Sequence, residues 1–595
     1  MANPTGPLPA SVSIARIRLW SGLLVAVIII FALRLFYVQV IRYGHYSQAA
    51  LSDQLKQYQI PASRGLIEVK ESGNIVPIVL NQRLYTLFAD PPFIKKPQTV
   101  AKQISQIIGG NPSSYIHALS IKGTQYSVIA NKLTQTQSKA IAKLQDPGLG
   151  TQGQDFRVYP NGDLAAQVLG FVNNQGIGDY GLEQALNPQL AGKPGMLKAI
   201  TSVTGVPLAA SRQNTQIQPV PGDNVVLTLN IGIQQQLQQI LARDYKTTKS
   251  QGLSAIVINP YNGHIKAMAN YPTYNPANYA NVTNSRLFDN NAVDYPIEPG
   301  SVMKTLTTSA ALNIGAIKPN ETFYDPAHWV INGFNITDIK QDGGAREQNI
   351  ASILALSLNT GATWMLMQMS QKGNTVINGN GIKIWHNYMV NHFRLGQPTG
   401  IEQGYEASGY VPPANLNDPS INLRYANTAF GQGVSITALQ LVAALSSVIN
   451  GGTYYQPTLV NELITPTGKV EVNRPKVLER NVVKSSVGPE LIPLMENVVK
   501  AYLHGGFSFM NFPSNYIVGG KTGTAQVARP TGGYYNNIFN GSYIGFVGGN
   551  KPQYLVVVYN IKPAIPGYAG SFGGQPVFAD IVHMLINEGY ITPKN

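Results

Sequence analysis

The sequence predicts an α+β protein with three parts. A single N-terminal transmembrane helix comes first, an elongated mixed domain is second, and a larger domain then combines an antiparallel sheet of hairpins, flanking helices and a helical lobe. Three observations lead there: one uncharged apolar stretch near the N-terminus, short β-like runs broken by helical ones up to a Pro-Gly boundary, and paired apolar strands around an Asn-Gly turn beyond it.

The apolar stretch runs from Leu19 to Leu33 without a charge and extends to Ile41 with only Arg34 and Gln39 interrupting it. As a helix it would be about 35 Å long, enough to cross a hydrocarbon core of roughly 30 Å with some tilt. Arg34 sits near the far end, where its side chain can snorkel to the interface. A cleaved signal peptide is disfavoured because no small-x-small site comes after the run. Arg16 and Arg18 precede it and no acid does, so residues 1–18 are expected to be a cytoplasmic tail, 19–41 the anchor, and the bulk extracytoplasmic.

Beyond the anchor, residues 42–222 read as one mixed domain. Val76 to Leu80 and Leu84 to Ala89 read as strands; Ile104 to Ile108 and Ala140 to Leu144 fit amphipathic helices. Pro219-Val220-Pro221-Gly222 punctuates the chain, and 223–595 form the larger domain. There Val225 to Leu229 reads as a strand, and a Gln-rich helix comes next with Ile233, Leu237, Ile240 and Leu241 on one face. Ala255 to Asn259 and Ile265 to Ala269 bracket Asn262-Gly263 as a hairpin, and Tyr543 to Val547 and Tyr554 to Tyr559 are further strands.

Composition narrows the chemistry. None of the 595 residues is cysteine, which removes disulfide scaffolds, thiolate metal sites and cysteine nucleophiles. The formal charge of +14 suggests an anionic partner, but the 43 Lys and Arg are spread along the chain and no nucleic-acid-binding motif accompanies them. A nucleic-acid partner is therefore not expected. The eight histidines show no paired ligand spacing, so neither a metal nor a cofactor is expected.

The candidate catalytic pattern begins at Glu298-Pro299-Gly300-Ser301-Val302-Met303-Lys304. Pro-Gly ends an irregular segment, and Leu306, Ala310, Ala311 and Leu312 suggest a helix with Ser301 in its first turn. Lys304, three residues on, shares a face with Ser301. A serine needs a neighbouring base to become a nucleophile, and a desolvated lysine can be one. Ser357-Leu358-Asn359 comes after an apolar run and supplies a hydroxyl and an amide. In Gly520-Lys521-Thr522-Gly523-Thr524, glycines allow close backbone approach, and Lys521 with two threonine hydroxyls makes a carboxylate-binding edge. Gly-Lys-Thr also ends a phosphate-binding loop, but that loop needs a glycine where Asn515 stands.

In this order the three elements form the Ser-x-x-Lys, Ser-x-Asn and Lys-Thr-Gly set of penicillin-binding proteins and serine β-lactamases. The chain resembles the class B penicillin-binding proteins, the membrane-anchored peptidoglycan D,D-transpeptidases. Further matches are Tyr46 with Ala49-Ala50, Arg64-Gly65-Leu66-Ile67, Tyr159-Pro160, Leu169-Gly170-Phe171, Gly181-Leu182-Glu183 and Leu190-Ala191-Gly192. In the larger domain Asn259-Pro260, Ala267-Met268-Ala269, Thr399-Gly400-Ile401, Gly431-Gln432-Gly433 and Asn450-Gly451-Gly452 also match. After Arg64 the chain departs from the family, with Glu68 to Gly73 in place of the usual Asp-Arg-x-Gly run.

The resemblance implies that 42–222 are a non-catalytic, dimerisation-type pedestal and that 223–595 fold like penicillin-binding and serine β-lactamase domains. It implies Ser301 as the nucleophile that forms an acyl-enzyme with a stem peptide. Lys304 would be the base, an assignment debated among related enzymes. Ser357 and Asn359 would relay protons and hold the lysine, and Lys521, Thr522, Gly523 and Thr524 would bind the terminal carboxylate. Backbone N–H groups of Ser301 and Thr524 would form the oxyanion hole. β-Lactams would acylate Ser301. The implied partners are peptidoglycan stem peptides, a SEDS-type glycosyltransferase and other divisome membrane proteins. Asn359 and Glu298-Pro299-Gly300 favour the division type over the elongation type. The non-enzyme alternative is a catalytically idle divisome scaffold, against which Ser301, Lys304 and Lys521 speak. A secreted β-lactamase would be far shorter and would not need residues 42–222.

Overall fold

Along the strands of the larger domain, apolar residues are buried on both faces, which requires helices on each side of the sheet. Leu253, Ala255 and Val257 enter one core, and the intervening Ile256 and Ile258 enter another. The computed structural model describes residues 14–44, 46, 55–124, 126–200, 215–338 and 344–594. The matching dipeptide Ala49-Ala50 and most of the cytoplasmic tail lie outside them. The chain falls into two compact units, one of residues 1–62 and 193–220, the other of 63–192 and 221–595.

The first unit holds helix α1, Ile14–Phe36, which continues as a π-turn to Ile41. It is the one helix among the described residues long and apolar enough to cross a membrane, over Arg16–Ile41. This unit also contains a three-stranded antiparallel sheet of Leu55–Ile60, Gly195–Ile200 and Thr215–Ile217.

In the second unit, residues 63–192 join the larger domain through strand pairing and are tied together by a buried ion triad. Strand Asn224–Leu227 runs parallel to Ile67–Glu71. The carboxylate of Glu183, wholly buried, accepts from Arg64 Nε at 2.6 Å and Arg157 Nε at 2.7 Å. One long strand, Asn74–Ala89, replaces the two expected over Val76–Leu80 and Leu84–Ala89. Polar Asn81 does not break it, because its amide donates to the Arg64 carbonyl and accepts from Arg157 Nη1 at 2.9 Å.

The sheet of the larger domain is built on α2, Ile231–Thr248, whose Ile233, Leu237, Ile240 and Leu241 face the core as the periodicity predicts. β1, Gly252–Ile258, and β2, Ile265–Tyr271, form the hairpin around Gly263, which holds φ +73°. The helical part comes next: α3, Met303–Asn313; the short strands β3, Thr322–Asp325, β4, His328–Ile331, and β5, Phe334–Thr337; then α4, Ile350–Ala355, and α5, Asn359–Ser370. Helix α6, Ala438–Ile449, is buried along its whole length, and α7 spans Val487–His504. The chain then returns to the sheet as β6, Ile517–Ala528, β7, Tyr534–Gly548, and β8, Pro552–Ile561, and ends in α8, Gln575–Asn587. The antiparallel order is β2-β1-β8-β7-β6. Helices α2 and α8 cover one face, while α3, α5 and α6 lie in the core on the other. Each fully buried aliphatic side chain contributes roughly 1.5–3 kcal/mol. This rigid packing is what holds β6 beside α3.

Candidate active site

Ser301 lies on a 3₁₀ turn, Gly300–Val302, that leads into α3. The turn is pinned against β6 by residues too small to keep it away. Gly300 holds φ +64°, and a Cβ there would stand 2.7 Å from the Thr524 carbonyl oxygen. A Cβ on Gly431 would stand 2.0 Å from the Gly300 carbonyl oxygen, and Gly300 N donates to the Gly431 carbonyl at 3.0 Å. Glu298 steadies the approach to the turn, its Oε1 accepting from Gly433 N at 3.0 Å and the Tyr534 hydroxyl at 2.9 Å.

Lys304 falls on the buried side of α3, with no exposed surface. Its ammonium donates to the Ser357 carbonyl, to Asn359 Oδ1 at 2.8 Å and to Ser357 Oγ at 3.3 Å. Lys521, also wholly buried, arrives from β6 and donates to the same Ser357 Oγ at 3.0 Å and to the Thr522 carbonyl at 3.1 Å. Two lysines therefore meet at one hydroxyl. Burial pushes the Lys521 pKa well below its usual value, and the charge of Lys304 pushes it further down. Ser357 itself holds φ +60°, a left-handed conformation unusual for a residue with a Cβ.

Ser301, Ser357, Asn359, Thr522 and Thr524 all line one cavity of about 310 Å³, walled by Phe430, Tyr502, Phe539 and Tyr568. The structure thus gathers the sequence-predicted residues from three distant segments, with Lys304 and Lys521 bonded to its lining. Gly523 completes the edge: a Cβ there would stand 2.4 Å from the Pro299 carbonyl oxygen. The arrangement offers a hydroxyl at the mouth of a helix, a pair of buried amines and a row of hydroxyls, which is the equipment of acyl transfer through a serine.

Two side chains at this site escaped the sequence reading. Tyr502, on α7, shares a hydrogen bond of 2.6 Å with Thr522 Oγ1, and burial pushes its pKa up to about 12. Asp338, just past β5, accepts from the backbone N–H of Asn359 and of Thr360. Neither has a local signal, since each meets its partner about twenty residues along the chain. A second cavity of about 440 Å³, lined by Gln167, Asp179, Tyr180, Asp289, Asp294 and Gln403 among others, contains no serine or lysine. Among the described residues no group of three or more metal-ligating side chains is placed to hold an ion.

The chain is similar to known proteins over most of its length. Residues 253–583 match the penicillin binding protein transpeptidase domain, and 59–227 match the penicillin-binding protein dimerisation domain. The chain is 28% identical to stage V sporulation protein D of Bacillus subtilis over 576 residues, covering 96% of this chain and 85% of that protein. It is 25% identical to peptidoglycan D,D-transpeptidase FtsI of Escherichia coli over 561 residues, covering 91% and 86%. Among solved structures, penicillin binding protein 3 of Mycobacterium tuberculosis complexed with ampicillin superposes with a TM-score of 0.67 at 25% identity, covering 90% of this chain and 97% of that one.

Proposed function

Because the chain belongs to the penicillin-binding protein transpeptidase family, we propose that it is a membrane-anchored serine D,D-transpeptidase that cross-links peptidoglycan stem peptides. The observation that carries this reading is the convergence of Lys304 and Lys521 on Ser357 Oγ beside Ser301 in one cavity. Ser301 Oγ attacks the carbonyl of the penultimate D-Ala, and its proton passes to Lys304 in the neutral form. The developing oxyanion is held by the N–H groups of Ser301 and Thr524. Ser357, bonded to both lysines, returns a proton to the departing D-Ala amine, which leaves Ser301 as an ester. An amine of a second stem peptide then attacks that ester, forming the cross-link and restoring the serine. Lys521, Thr522 and Thr524 hold the terminal carboxylate, with Gly523 letting the substrate backbone lie against β6. A β-lactam, presenting a strained amide in the same place, acylates Ser301.

The finer assignments are residues 1–18 as cytoplasmic tail and 19–41 as anchor with its N-terminus inside, which rest on the apolar run and the arginines before it, and 42–222 as pedestal and 223–595 as transpeptidase domain, which rest on the resemblance. Asn359 and Glu298-Pro299-Gly300 support a role in septal synthesis during division, with a SEDS-type glycosyltransferase and other divisome proteins as partners. The test is intact mass after penicillin treatment of the full chain and of Ser301→Ala. We expect one penicillin adduct on the natural chain and none on the variant; an adduct on both removes Ser301 from the role of nucleophile.

A further inference from the structure

The Ser357–Asn359 segment lies between α4 and α5, yet its geometry is set from outside both. Helix α5 opens at Asn359, and Leu358 at its N-cap has no side-chain acceptor to offer. The first N–H groups of a helix find no partner inside it, and they favour a negative charge. Asp338 supplies both needs: its Oδ1 accepts from Asn359 N and from Thr360 N at 3.1 Å, and its Oδ2 accepts from Thr360 Oγ1. Asp325 of β3, itself buried, lies beside Asp338 and Thr360; burial raises its pKa, and the Asp338 charge adds to that rise. The β4–β5 hairpin adds two more contacts. Asn359 Nδ2 donates to the Thr337 carbonyl at 3.0 Å, and Trp329 Nε1 donates to the Thr360 carbonyl at 3.0 Å. Asn359 is thereby gripped at its backbone and its amide nitrogen, which leaves Oδ1 aimed at Lys304.

We propose that Asp338 is a positioning residue for acyl transfer: by capping α5 it holds Ser357 and Asn359 in register with Lys304 and Lys521. The strained φ of Ser357 gives this cap its importance, because an unpinned segment would relax toward ordinary backbone and carry the hydroxyl away from both lysines. The inference rests on the acyl-transfer reading above.

The test uses the full chain in detergent, with Asp338→Ala and Asp338→Asn, and resolves labelling by a fluorescent penicillin into a noncovalent binding constant and an acylation rate constant. With Asp338→Ala the acylation constant per folded molecule should fall at least threefold, and by about tenfold to a hundredfold if Ser357 moves by an ångström, with binding nearly unchanged. Asp338→Asn should fall between the two, because a neutral amide oxygen accepts more weakly than a carboxylate. A purely structural role would reduce the folded fraction and leave the acylation constant of the remainder alone. The proposal is overturned if folded Asp338→Ala acylates within about threefold of the natural chain, or if the whole loss lies in binding. Should Asp338→Ala not fold, Asp338→Asn decides, and acylation at the natural rate overturns the proposal. Failure of the acyl-transfer reading would look different, since the natural chain would then take no label at Ser301.

Discussion

Replacing Lys521 by Met should make the protein more stable while slowing acylation. Lys304 and Lys521 donate to one oxygen at 3.3 and 3.0 Å, so their ammonium groups lie no more than about 6 Å apart. Two positive charges at that distance repel by about 3 kcal/mol at an effective dielectric near 20. Methionine keeps the length of the side chain, removes one charge from a fully buried site, and forfeits hydrogen bonds worth about 1 kcal/mol each. Removing the ion also removes its desolvation penalty, which is several kcal/mol for a buried charge, so the net gain should be on the order of a few kcal/mol. The pH dependence has a fixed sign. The folded-state pKa of Lys521 is depressed from an ordinary 10.5, so between those two values the unfolded chain binds more protons than the folded one. Natural-chain stability therefore climbs with pH through that window, and the advantage of Lys521→Met shrinks as it does. Urea unfolding of both full chains in detergent, at pH 5.5 and again at pH 10, can be tracked through Trp329, Trp364 and Trp385, which all lie in one unit. A variant less stable than the natural chain at pH 5.5, or an advantage that is flat with pH, would refute the charge-pair account.

Two further outcomes are expected at the site. Tyr502→Phe keeps the ring and removes one hydrogen bond to Thr522, so penicillin binding should weaken about fivefold with the acylation step little changed; resolved labelling kinetics read both constants. Gly431→Ala puts a Cβ 2.0 Å from the Gly300 carbonyl oxygen at a φ of +85°, so the Ser301 turn must move. Displacement by about 1 Å should cost acylation on the order of a hundredfold, and an unchanged rate would mean that the turn is not held from this side.

The sheet and the residue types of the site were legible because each rests on a local signal. The apolar runs of β1 and β2, the Asn-Gly turn between them and the helical face of α2 are written within a few residues of one another. Asn81-Gln82-Arg83 misled the reading of strand Asn74–Ala89 for the opposite reason: what satisfies Asn81 lies on Arg64 and Arg157, far along the chain. The same limit governs the site. Ser-x-Asn names a hydroxyl and an amide, but nothing in it states that Ser357 stands at φ +60°. That angle is what lets both the carbonyl and the hydroxyl of one residue meet Lys304, and the hydroxyl meet Lys521 as well. Glycine would take the angle without strain and lose the hydroxyl. A serine in ordinary backbone would keep the hydroxyl and turn it elsewhere. Only a serine forced into the left-handed region satisfies both demands, and such strain, roughly 1–3 kcal/mol, persists where the surroundings over-determine it. Here they are the cap from Asp338 and the two buried lysines, groups that are costly to the fold and explicable through the chemistry they surround.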